Sequence, residues 1–191
     1  MPDTVVAPAP RSTRSLPPVA VPLLVGAAVA MALGIYGRVH DPTGRTLYTL
    51  FFTDTIRLKA WLGTGCLVLA SGQIFSALWL YGRLGRSGRP APVWLGDVHR
   101  LTGTLTFALS LPVAYHCLWA LGYQTSTARV AIHSLLGCAL YGAFAAKVLA
   151  VRRPHQPAWA LPVLGALTFT LLVLVWWTSA LWFFQNVTWA M

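Results

Sequence analysis

The sequence predicts an all-α fold, a polytopic membrane bundle of five transmembrane helices. Three observations predict it. Of the 191 residues, 57% are hydrophobic and only 9% are charged, where an ordinary soluble domain carries about a quarter charged residues. The apolar residues fall into five long blocks, each near the ~20 residues that cross a hydrocarbon core about 30 Å thick. The basic residues lie in short runs between those blocks, the pattern of a multi-pass membrane protein. Together these argue against a soluble enzyme, a disordered chain and a nucleic-acid module, although the formal charge is +10 and 14 Lys and Arg face only four acids. The length suits one domain.

The elements follow in order. Residues 1–18, with Pro at 2, 8, 10, 17 and 18, read as a disordered cytoplasmic tail. The membrane domain is expected over 19–191. Its first helix runs over about 19–36, and the apolar run continues past the A-x-A site at Ala28-Val29-Ala30, so it reads as a retained span rather than a cleaved signal. The second runs over 60–82 without a charge, the third over 101–122 and the fourth over 130–151, interrupted only by Lys147. The fifth runs over 159–184. Cys66, Cys117 and Cys138 sit singly within apolar blocks and read as small buried side chains.

Orientation follows the cation bias. With the N-terminus inside, Arg11, Arg14, Arg83, Arg86, Arg89, Arg100, Arg152, Arg153 and Lys147 face the cytoplasm, and Arg38, Arg45, Arg57, Lys59 and Arg129 face outward. Nine against five predicts a plasma-membrane protein with its N-terminus cytoplasmic and its C-terminus outside. The aromatic belts agree, with Trp176, Trp177, Trp182, Phe183, Phe184 and Trp189 crowding the outer end of the fifth helix.

Ionisable side chains inside a membrane are costly and mark function. Among these, two histidines stand well within spans, His116 in the third and His133 in the fourth. Counting at 1.5 Å per residue puts both within about 5–9 Å of the outer boundary. Two neutral imidazoles at one depth on facing helices are the pattern of axial ligands to one haem b, and Gly137, one turn beyond His133, leaves room for a flat macrocycle. The structural alternative is that each imidazole simply bonds a neighbouring hydroxyl. His99 and His155, both expected near the inner face, are candidates for a second haem site.

Two short segments add a resemblance. Ile132-His133-Ser134-Leu135-Leu136-Gly137 resembles the "HSxLG" stretch of a ligand-bearing helix in the cytochrome b-561 family, and His99-Arg100-Leu101-Thr102-Gly103 followed by His116 resembles the "HRxxG…H" helix of the ferric-reductase-like membrane superfamily. From the second helix to the end the chain is also similar to a small uncharacterised family of actinobacterial membrane proteins. The haem-family resemblance implies a b-type haem bundle. It covers two helices, and the chain departs from its two-haem pattern. The positions thirteen or fourteen residues from His116 are Gly103 and Thr102, those from His133 are Ala146 and Lys147, and none is a histidine.

The functional expectation is an integral b-type haem protein that passes electrons between the membrane and an outer-side partner, either quinone in the bilayer or a water-soluble iron–sulfur redox protein. The alternative is a non-redox accessory or scaffold subunit of a membrane complex. A transporter would show inverted repeats and buried charge, and a membrane hydrolase its carboxylates or metal motif. Gln73 reads as interhelical glue or the lining of a quinone or proton path, Asp97 as an N-cap or a partner for His99, and Asn186-Val187-Thr188 as a glycosylation sequon.

Overall fold

Five helical spans run between two ends of the bundle. In the computed structural model, which describes residues 17–46, 48–84 and 90–187, they are α1 (Ala20–Val39), α2 (Thr55–Leu80), α3 (Val93–His116), α4 (Ala128–Arg152) and α5 (Ala160–Trp176). A π-helical turn, Cys117–Leu121, extends α3. A second, Trp177–Leu181, joins α5 to the short α6 (Trp182–Asn186). No strand occurs among the described residues. All five spans are long and apolar enough to cross a membrane. Leu24, Val68, Phe75 and Trp177 are each more than half exposed, the outward apolar surface that a bilayer covers. The chain is thus a multi-pass membrane protein. Most of the expected 1–18 tail, Arg86, Arg89, Trp189 and Thr188 of the sequon lie outside the described residues.

Helix starts differ from the hydropathy reading, and capping explains two of them. The α2 helix begins five residues before the expected 60, because Asp54 accepts the Arg57 N–H at 2.7 Å. That satisfies an orphan donor and lets the helix include Arg57 and Lys59. Thr127 caps α4 the same way, accepting Val130 N–H at 3.3 Å. The α3 helix starts at Val93, eight residues before the expected 101, straight after Pro92, so Asp97 and His99 are helical rather than edge residues.

The interior is built from small side chains. Ala60, Ala70, Ala120, Ala143, Ala146, Ala150, Ala160 and Ala180 are buried, as expected where spans associate by close packing rather than by a hydrophobic effect. The closest approach joins α1 to α4. A Cβ on Gly26 would meet the Gly142 carbonyl oxygen at 2.5 Å, and one on Gly142 would meet the Gly26 oxygen at 2.5 Å and the Ala30 Cβ at 2.8 Å. Around the bundle α1 packs on α4, α4 on α5, α5 on α2, and α2 on α3. The α3 and α4 helices stand apart and meet through side chains: Phe107 stacks on Phe144 with ring centres 4.6 Å apart, and the Tyr141 hydroxyl donates to the Ser110 carbonyl at 3.0 Å.

The end bearing the 40–54 loop is here called the upper end. There the loop caps the π turn after α3. Gly44 N–H donates to Ala120 O at 3.0 Å and Thr43 N–H to Trp119 O at 3.4 Å. A ring nitrogen of His40 lies 3.2 Å from the same Trp119 oxygen. Carbonyls left open at a helix C-terminus are satisfied in this way. Gly122 then reverses the chain with φ +69°, and a Cβ there would press on Gly37 O and Pro42 at 3.0 Å. Position 122 therefore demands glycine twice over. Tyr48 reaches from the loop to donate its hydroxyl to the Pro112 carbonyl. Burial pushes its phenol above the ordinary value, and Cys117 and Tyr115 add to the rise.

Candidate functional site

The gap between α3 and α4 is a cavity of about 360 Å³, walled by α2, α3, α4 and α5 and reaching up to both π turns. That volume lies within the ~300–1,000 Å³ of small-molecule sites. The Ser110–Tyr141 pair crosses it, and its walls are mainly apolar, including Val113, Leu140, Leu172 and Trp176. The π turns fit this position, since each inserts an extra residue into a helix and displaces the side chains beyond it.

His133 and Gly137 line the cavity from α4. The Nδ1 of His133 lies 3.0 Å from Thr178 Oγ1 in the π turn of the fifth span. The Thr178 hydroxyl in turn donates to the Leu174 carbonyl at 2.9 Å. A hydroxyl has one proton, and with that proton on Leu174 the contact closes only if Nδ1 carries hydrogen. The ring also bonds the Val175 backbone. An imidazole whose ring is oriented through one nitrogen by a neighbouring oxygen is the arrangement seen around metal-ligating histidines. A Cβ on Gly137 would meet nothing within 4 Å, so the wall beside His133 is open, as a flat ring requires.

His116 does not share this wall. It is 6% exposed at the end of α3 and is not among the residues that line the cavity, and its Nδ1 has no hydrogen-bond partner. The lining residues of that span, Ser110, Val113, Ala114, Cys117, Leu118 and Leu121, define a different face. The structure therefore brings His133 and Gly137 together and leaves His116 outside. On the α2–α3 side, the cavity-lining thiols are Cys66 and Cys117.

The lower histidines are also separate. His99 Nδ1 lies 2.7 Å from Ser76 Oγ, and Gln73 donates to the His99 carbonyl at 2.6 Å and to the Thr102 hydroxyl. Gln73 thus acts as a strap between α2 and α3. His155 is exposed in the turn after α4, with φ +62°. Neither lines the upper cavity.

The sequence reading missed Thr178, Lys59 and Arg129 as site residues. The cation pattern places Lys59 and Arg129 in outer segments, but both are helical and both line the cavity. Arg129 donates from Nη1 to the Thr178 carbonyl at 2.6 Å, and its guanidinium carbon sits 4.1 Å from the Trp182 ring centre. The available signal was their place immediately before apolar blocks, one residue short of the expected start at each.

No curated protein and no solved structure matches the chain. These comparisons lend no support to the cytochrome b-561 or ferric-reductase-like resemblance. One family model does match, over residues 19–191, which is the whole helical domain and the chain beyond it. The chain belongs to that family, described as a family of unknown function (DUF6529).

Proposed function

We propose that this chain is an integral b-type haem protein of the plasma membrane, passing electrons between the bilayer and an outer-side partner. The observation that carries the reading is His133, its Nδ1 held 3.0 Å from Thr178 Oγ1, in an apolar cavity beside open space at Gly137. Haem iron, when bound, supplies reversible single-electron chemistry. In this reading His133 is the ligand from α4, and Thr178 fixes its ring and tautomer. The apolar walls keep water from the site, and the Ser110–Tyr141 pair closes the cavity below. The upper end faces outward, with the N-terminus cytoplasmic and the C-terminus outside, in keeping with the cation bias. Quinone in the bilayer or a water-soluble iron–sulfur protein outside suits as redox partner.

A second reading, a non-redox accessory or scaffold subunit, draws on one observation: His116 does not line the cavity with His133. A reduced-minus-oxidised spectrum of membranes expressing the chain, with haem supplied, separates the two. A b-type difference spectrum that is lost in His133→Ala supports the haem protein. Haem-free purified protein puts the scaffold reading in front.

A further inference from the structure

The two cations at the upper part of the cavity need an account that a neutral imidazole does not give. Lys59 and Arg129 both line it, and neither forms an ion pair with a described residue. Arg57, their neighbour on α2, differs in being paired with Asp54 at 3.2 Å. Of the acids, Asp41, Asp54 and Asp97 are among the described residues, and none of these three lines the cavity. The Lys59 ammonium makes no hydrogen bond to a described residue. Arg129 is oriented rather than neutralised, through a carbonyl and an aromatic face. Arg129 also stands in the first turn of α4, where the dipole opposes it. Two uncompensated cations on an otherwise apolar cavity cost free energy that an anion there offsets.

We propose that the cavity takes an amphipathic carboxylic acid, with its apolar body among α2–α5 and its carboxylate between Lys59 and Arg129 at the upper mouth. The paired cations at the mouth of apolar walls suit an apolar body with an acid end. Haem, with its carboxylate side chains, and a long-chain fatty acid share this chemistry. The inference stands on the two cations and not on His133, so it holds whether or not iron is ligated.

The test uses the full chain in a non-ionic detergent and reads quenching of the cavity tryptophans. Paired probes differ only at the acid: oleate against oleyl alcohol, and haem against its dimethyl ester. Wild type should bind each acid about tenfold or more tightly than its neutral partner, the size expected of one or two partly screened ion pairs. The double variant Lys59→Gln, Arg129→Gln should bind acid and neutral probe alike, and Arg129→Lys should keep most of the preference. A measurement on wild type alone guards against misfolding: the preference should vanish once pH falls below the pKa of the bound carboxyl. Equal binding of acid and neutral probe by wild type overturns the proposal, as does a preference that survives the double variant. His133→Ala separates this from the haem reading, since it should abolish the haem spectrum and leave the oleate preference intact.

Discussion

The indole N–H of Trp176 donates to Thr64 Oγ1 at 3.0 Å, tying α5 to α2 across one wall of the cavity. Thr64 passes its own proton to the Ala60 carbonyl at 2.8 Å, so Trp176 has the acceptor it needs. Trp176→Phe keeps an aromatic ring, removes the bond and loses part of the indole's volume, so Thr64→Val is the cleaner measure of the bond. The expected cost is about 1 kcal/mol, read as a lower thermal midpoint in detergent. Thr64→Val should cost a similar amount, and the double variant little more than either alone, since both remove one bond.

Two glycines on α4 should respond in opposite ways. Gly142→Ala puts a Cβ 2.5 Å from the Gly26 oxygen, and forcing α1 away from α4 is expected to cost about 1–3 kcal/mol. Gly137→Ala meets nothing within 4 Å and should leave the midpoint unchanged. Gly137→Leu, which grows into the cavity, should lower haem content without unfolding the bundle. Thermal melts and a haem-to-protein ratio on the same samples check both statements.

The histidines divide in the same assay. His133→Ala should remove the haem spectrum, and Thr178→Val should weaken haem binding by about 10–100-fold, the usual effect of losing a ligand's orienting partner. His99→Ala and His155→Ala should leave haem content unchanged. His116→Ala reports which wall matters. Retained haem is expected from its position off the cavity, and loss of haem would mean that α3 turns toward α4 on binding.

Tyr48 gives a pH dependence. Its phenol is raised by burial and bonds the Pro112 carbonyl only while protonated. A raised folded-state value means its contribution is complete below the unfolded value, about 10, and is lost as pH rises through the folded value. Wild type should therefore lose stability above about pH 10 by an increment that Tyr48→Phe lacks, having lost about 1 kcal/mol at every pH. Thermal melts at pH 8 and pH 11 measure the difference.

Reporter fusions after Arg86 and after Met191 should report opposite sides of the membrane, with the first in the cytoplasm. Signals from the same side would remove one crossing and reverse the assignment of the cavity to the outer leaflet.

Hydropathy made the five spans legible because each block of apolar residues is long and carries at most one charge, Lys147 in the fourth. It cut α2 and α3 short for the same reason. Arg57 and Lys59, or Asp97 and Arg100, lower a window average without breaking a helix, and the Asp54 cap that admits Arg57 is visible only once its carboxylate is placed. Of the site, His133 and Gly137 were legible as a pair one turn apart. The face of His116 was not, since depth along a helix fixes no rotation about it and the arc of α3 that meets the cavity is set by packing on α2. Thr178 was hidden because a threonine in a span commonly returns its hydroxyl to its own helix, as this one also does. The π turns at Cys117–Leu121 and Trp177–Leu181 follow no residue pattern in the chain.

Residues of both turns line the cavity. Each is one amino acid richer than a regular turn and has weaker backbone bonds, while the lower parts of the same spans are unbroken α-helix. Softness is therefore expected to be graded along the bundle: the lower half should be the stiffer base, and amide hydrogens in the upper half should exchange with solvent soonest. A guest can enter the top by local breathing of two helix ends, with no flap and no separation of domains. Deleting one residue from either turn would restore a continuous α-helix and stiffen that entrance.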